Sequence, residues 1–203
     1  HFAAVDNQRQ QTELLRALLP ELENFNVIAI TAHGHTKDYE DLEGNPMSRT
    51  FASIKDIQGT IAASVMLADN IAGSTKVPGV YLGISMGGIV GLWHSVLGEN
   101  KFRRMLIIAA HTQADEIFTA EPFSGMIHDP AKVKKLSEQY NQAFALGDIP
   151  EEVRRRNEKT TIYLGTEDSI VNIQTAREIC KKLGIGGIVE LPLEHDIMWL
   201  GSR

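Results

Sequence analysis

A chain of 203 residues is long enough for one well-buried domain and short for two, and its 43% apolar and 23% charged side chains are ordinary for a soluble globular protein. The formal net charge of −6 excludes nucleic acid and anionic membrane as the expected main partner. The lone cysteine, Cys180, excludes an internal disulfide and fits a reducing compartment, where it reads as a small apolar helix residue. No apolar run is long enough for a membrane span, and no basic leader with an apolar core opens the sequence. A cytoplasmic protein without integral membrane association is expected.

In chain order, His1–Val5 has a strand's composition, and Asp6-Asn7-Gln8-Arg9 is a polar loop. From about Thr12, Leu14, Leu15, Leu18, Leu19 and Leu22 recur at helical spacing. Asn26–Ile30 reads as a buried strand, and Thr31–Thr50 as a loop rich in His, Gly, Asp and Pro. Ser53 is placed to cap a helix with Ile54, Ile57, Ile61, Val65 and Ala68 on one face. Val80–Ile84 is a short apolar strand, Gly88–Leu97 a helix and Arg104–Ala109 another strand. His111 to Asn157 changes texture, with Pro122, Pro130 and Pro150, many charges and a helix opened by Asp129-Pro130. We read it as an inserted helical lid. Thr160–Gly165 resumes the strand pattern, a helix over Gln174–Leu183 stops at Gly184, and Gly187–Leu191 is the last strand.

Strands alternating with amphipathic helices predict an α/β fold: a mostly parallel sheet with helices on both faces. The core is expected over 1–110 and 158–203, with the small lid insertion over 111–157. In such sheets the ligand crevice lies beyond the carboxyl ends of the strands. Three such ends carry chemistry. Gly83-Ile84-Ser85-Met86-Gly87 is a G-x-S-x-G turn between strand and helix, the context that exposes a nucleophilic serine, with Gly83 and Gly87 serving a steric purpose. Glu167-Asp168 follows the Thr160–Gly165 strand, and Glu194-His195-Asp196 follows the last one. A serine hydroxyl is a weak nucleophile at neutral pH unless a base takes its proton, and the base needs a carboxylate to fix its tautomer.

The stretch from about Phe25 to His195 resembles the α/β-hydrolase superfamily. Gly83-Ile-Ser-Met-Gly-Gly-Ile-Val-Gly-Leu-Trp93 resembles its serine esterase and enol-lactonase branch. Gly165-Thr-Glu-Asp-Ser-Ile-Val171 is similar to the acid segment, which implies Asp168 rather than Glu167, and Glu194-His195-Asp196 to the segment bearing the base, which implies His195. Asn26–His35 resembles the strand and D-x-R-G-H-G-x-S loop, departing from it at Thr31, His33 and Thr36. The resemblance implies an oxyanion hole from the Met86 N–H and a second amide near Asn7 and Gln8, where the usual His-Gly pair is missing. It also implies that the family's initial β-hairpin is missing from this chain.

The activity implied is hydrolysis of a small-molecule carboxylic ester, lactone or thioester through an acyl-enzyme on Ser85, His195 and Asp168, with no cofactor. Two alternatives keep the same fold: an acyltransferase on the same triad, and a slow-turnover ligand-binding or receptor protein. Ile84 and His111, at strand ends, are candidate pocket residues. His33 and His35 sit two apart but have no Cys or Glu partner near them for a zinc site, so no metal is expected. His94 reads as a surface or packing residue, and Arg154-Arg155-Arg156 as a solvated face. The serine turn lacks the lysine of a phosphate loop.

Overall fold

A computed structural model of the chain describes residues 28, 54–99, 102–113 and 130–195. Within these, β1 (Val80–Ile84), β2 (Arg104–Ile108), β3 (Thr160–Gly165) and β4 (Gly187–Leu191) form a sheet in that spatial order. Every neighbouring pair is parallel. The helices are α1 (Ile54–Ser74), α2 (Met86–Leu97), α3 (Pro130–Ala143), α4 (Glu151–Arg156) and α5 (Ile173–Leu183). No helix among the described residues is long and apolar enough to cross a membrane.

The sequence pattern explains most of this. In α1 the residues at 57, 61, 65, 68 and 72 are all buried, a stripe of three- and four-residue steps, while Met66 and Leu67 face out. Residues of α2 are buried almost all round, as expected of a helix enclosed between a sheet and other helices. Strand β3 buries Ile162 and Leu164 on one face, and β2 buries Met105 and Ile107. Asn172 caps α5 by accepting from the Gln174 and Thr175 N–H groups at 3.0 and 3.1 Å. The helix closes at Gly184 (φ 75°), where Ile185 N–H reaches the Cys180 carbonyl at 2.9 Å. A Cβ at Gly184 would stand 2.8 Å from Arg154 Cβ, so space as well as φ asks for glycine. Another carbonyl of this helix end, on Leu183, accepts from Asn157 Nδ2 at 2.9 Å.

Several expectations shift. The helix after Ser85 starts at Met86, two residues earlier than its sequence pattern suggests, because Ser85 alone makes the turn. Strand β2 ends at Ile108, since Ala109 turns to φ 49° and leaves the extended region. Ile28 belongs to no strand and is 57% exposed, so at that residue the buried strand expected over 26–30 is not found. The N-terminal strand and helix, the loop over 31–50 and the Ser53 cap lie outside the described residues. Within the 111–157 segment, α3 contributes Leu136 and Tyr140 to the same core as α1 and α2, joined by Phe144 just past its end. Phe144 meets Trp93 of α2 at a ring distance of 5.3 Å.

Candidate active site

The site starts from a backbone problem. β1 runs into α2 with one residue between them, and that residue, Ser85, takes φ 51°, ψ −117°. A side chain other than hydrogen is strained there, at about 1–3 kcal/mol. Neighbours hold it: Ser85 N–H donates to the Ile108 carbonyl of β2 at 2.9 Å, and the Ser85 carbonyl accepts from Ile89 N–H at 3.0 Å. The hydroxyl makes no capping bond to the helix it precedes. It is left to point elsewhere.

Glycines make the turn possible, though not the pair foreseen. A Cβ on Gly83 would run into the Gly87 carbonyl group and stand 2.7 Å from Tyr81 Cε1. Among the described residues a Cβ on Gly87 would meet nothing within 4 Å beyond its own surroundings, so the steric role expected of Gly87 is not found there. Gly88 and Gly91 carry it instead, each facing β2 or the residues just past it. A Cβ on Gly88 would come within 2.5 Å of Ala110 Cβ, and one on Gly91 within 2.7 Å of Tyr81 Cε1.

The other two candidates arrive on the loops after β3 and β4. Those strands pair in register, Gly165 opposite Leu191, and Thr166 N–H continues the ladder to the Leu191 carbonyl at 2.8 Å. The two loops therefore leave the sheet side by side. A Cβ on Gly165 would strike the Leu193 carbonyl and lie 3.2 Å from Asp168 Cβ, so the absence of a side chain there lets the loops close together. This contribution of Gly165 is invisible in spacing alone.

Asp168 is fixed at both oxygens. Its Oδ1 accepts from the Ile170 and Val171 N–H groups, each at 2.8 Å, and its Oδ2 lies 2.9 Å from His195 Nδ1. The Asp168 side chain is 1% exposed and that of His195 is 13% exposed. His195 Nε2 lies 3.1 Å from Ser85 Oγ. A carboxylate can only accept, so the Nδ1 proton points to Asp168 and Nε2 is left as the acceptor for the serine proton. The chain brings together residues 110 and 27 positions apart into one hydrogen-bonded line, Ser85 to His195 to Asp168. Glu167 and Glu194, the neighbouring carboxylates, are exposed.

Met86, the first residue of α2, is buried, and its N–H belongs to the first turn, where a helix offers no internal acceptor. Asn7 and Gln8 lie outside the described residues, as do His33 and His35. Ile84 ends β1 half-buried, and His111 is buried beyond the end of β2. His94 is a packing residue and fully buried. Its Nε2 lies 2.7 Å from Asp69 Oδ1, and its ring stacks on Tyr81 and tilts against Phe102. Burial pushes its pKa below the ordinary histidine value, with Asp69 opposing and Lys159 and Arg156 adding to the fall. Sequence reasoning passed over Asp69, whose spacing from His94 across two helices carries no local signal. Cys180 is buried, and burial raises its thiol pKa to about 12.

Solved structures resemble this chain in fold. A point variant of the pyrethroid hydrolase PytH matches 94% of this chain and 87% of its own, at 17% identity and a TM-score of 0.53. A pyrethroid hydrolase from Sphingobium faniae JZ-2 matches 90% and 83% at 16% identity, with a TM-score of 0.49. A hydrolase from Pseudomonas aeruginosa PA01 matches 70% and 68% at 16% identity, with a TM-score of 0.39. No protein-family model and no curated protein matches the chain.

Proposed function

We propose that this chain, which has the α/β-hydrolase fold, is a serine hydrolase that cleaves a small carboxylic ester, lactone or thioester. The observation that carries the reading is the line of contacts from Ser85 Oγ through His195 to Asp168, at 3.1 and 2.9 Å, on a serine held at φ 51°. Strained backbone of this kind persists only where surrounding structure enforces it.

In the first half of the reaction Ser85 Oγ attacks the substrate carbonyl carbon as its proton passes to His195 Nε2. The Met86 N–H, at the positive end of α2, donates to the oxyanion that forms, with a second amide from the segment around Asn7 and Gln8. Asp168 accepts from Nδ1 and stabilises the imidazolium. His195 returns its proton to the departing alkoxide or thiolate, leaving an acyl-Ser85 ester. A water molecule then attacks this ester, gives its proton to Nε2, and the carboxylic acid departs as Ser85 regains its proton. Every proton and electron pair comes from Ser85, His195, substrate and water, so no cofactor enters. The 111–157 segment is proposed as the cover that shapes the substrate side of this edge, with Ile84 and His111 at its floor.

The test is hydrolysis of p-nitrophenyl acetate and butyrate, with covalent labelling by a fluorophosphonate, in the parent and in the Ser85→Ala and His195→Ala variants. Turnover and labelling in the parent alone are expected. Labelling that survives in Ser85→Ala removes Ser85 from the role, and a folded parent without turnover favours a ligand-binding protein.

A further inference from the structure

We infer that Tyr81 is a positioning residue for the nucleophile turn, holding the first turn of α2, and with it the Met86 N–H, at a fixed distance from β1. The inference rests on the hydrolase reading above.

The phenol of Tyr81 leaves β1 and passes beneath α2, where its Oη donates to the Gly87 carbonyl at 2.7 Å. The path exists because two glycines are cut away for it. A Cβ on either Gly83 or Gly91 would stand 2.7 Å from the same Tyr81 atom, Cε1. The ring is gripped from its far side, stacked against His94 at 6.2 Å and edge-on to Phe102 at 5.4 Å. Ala68, Ala72, Met105, Phe102 and Tyr81 make a small core of their own, apart from the main one. Tyr81 is the member of that cluster that touches the serine turn.

The need for such a tether follows from composition. Three of the first six residues of α2 are glycine (Gly87, Gly88 and Gly91), and each is about 1 kcal/mol poorer than alanine in a helix. Gly88 and Gly91 cannot be anything larger, for the steric reasons given above. The close approach that lets Ser85 turn so sharply thus leaves the helix end that must aim the Met86 N–H intrinsically loose. The Gly87 carbonyl has two lone pairs, one for the α-helical N–H of Gly91 and one for Tyr81. Burial raises the Tyr81 pKa far above the ordinary phenol value, so the hydroxyl remains a donor throughout the working pH range.

A tether of this kind acts where charge develops, on the oxyanion, and not on the ground-state substrate. Its loss therefore lowers kcat and leaves KM in place. Three proteins are compared: the parent, Tyr81→Phe, which keeps the ring and removes only the donor, and Tyr81→Leu, which removes both. Ester kinetics, fluorophosphonate labelling rate and thermal midpoint are measured on each. The expected result is that Phe restores the thermal midpoint lost in Leu but not the rate: kcat and labelling fall about tenfold in both variants with KM within twofold. Full activity in Tyr81→Phe overturns the inference, because ring packing alone is then sufficient. Should Tyr81→Phe not fold, Phe102→Leu, which loosens the edge-on grip on the Tyr81 ring and leaves its hydroxyl in place, must lower kcat with KM unchanged, or the inference fails. A parent that neither turns over esters nor takes the label defeats the hydrolase reading and the inference with it, whereas an active parent beside an equally active Tyr81→Phe defeats the inference alone.

Discussion

Replacing Asp168 by asparagine tests the tautomer argument with almost no change in shape. Asp168 Oδ1 accepts from two backbone amides, Ile170 and Val171, at 2.8 Å each. An asparagine must keep its carbonyl oxygen on that side, because its NH2 group would otherwise face two donors. The NH2 then occupies the place of Oδ2, 2.9 Å from His195 Nδ1. It donates to Nδ1, the ring carries its proton on Nε2 instead, and Nε2 no longer accepts from Ser85 Oγ. In a triad of this arrangement the wrong tautomer lowers kcat by about ten-thousand-fold, equivalent to about 5.5 kcal/mol of barrier. Folding stability should change little, since the two amide bonds to Oδ1 survive. Asp168→Ala, by contrast, leaves two amides without their acceptor and should lower stability by about 1–3 kcal/mol. The assay is steady-state p-nitrophenyl butyrate hydrolysis beside urea unfolding, with Glu167→Gln as the neighbour control, expected within twofold of the parent. Asp168→Asn retaining more than a tenth of the parental kcat would refute the assignment of Asp168 as the group that orients His195.

Other outcomes follow from single residues. Gly83→Ala forces a Cβ against the Gly87 peptide, with the Gly87 carbonyl carbon at 2.7 Å, and should cost about 1–3 kcal/mol as overpacking together with most of the activity, read by thermal melting and ester kinetics. Gly184→Ala meets both a left-handed φ of 75° and Arg154 Cα at 2.9 Å, so it should lower stability by about 1 kcal/mol or more while kcat is kept. His94, its pKa lowered by burial, binds its proton more readily when unfolded than when folded. The stability it protects is present above the unfolded value of about 6.5 and is lost as the pH falls below it. Melting temperature should drop over that range, and His94→Gln should flatten the drop; an unchanged slope would remove His94 as its source. The buried Cys180 thiol, pushed up to about 12, should resist iodoacetamide in the native protein and react at the rate of unfolding in urea.

Most of the sheet was legible because its signal is local. Four short apolar runs, two of them followed by helical spacing, gave strand bounds within one residue of those found, and Gly184 marked the end of α5 as a left-handed cap. The relation among Ser85, Asp168 and His195 was legible for a different reason: each follows a strand of a parallel sheet, and parallel strands all deliver their carboxyl ends to the same edge. What failed needed three-dimensional knowledge. Gly87 and Gly88 are equivalent in sequence, and only the direction in which α2 leaves Ser85 decides which of them faces Ala110. The helix start was misplaced by two residues because a glycine pair usually delays a helix, whereas here strain confined to Ser85 lets the helix begin at once.

Register supplies the last link between sequence and site. Gly83 pairs with Ile107 and Gly165 with Leu191, so the loops that follow are launched from fixed positions on one edge. The Ser85 N–H bond to the Ile108 carbonyl and the Thr166 N–H bond to the Leu191 carbonyl extend two of those ladders by one rung past their strands. Each extra rung ends where a candidate site loop begins. A one-residue slip would turn every side chain of a strand to the other face and place the loop about 3.3 Å away, more than the whole length of the Ser85–His195 contact at 3.1 Å. Core packing of Met105, Ile107, Ile162 and Leu164 forbids that slip, since all are buried on their present faces. The apolar alternation that makes the sheet fold is therefore also what sets the distance over which a proton would move from Ser85 to His195.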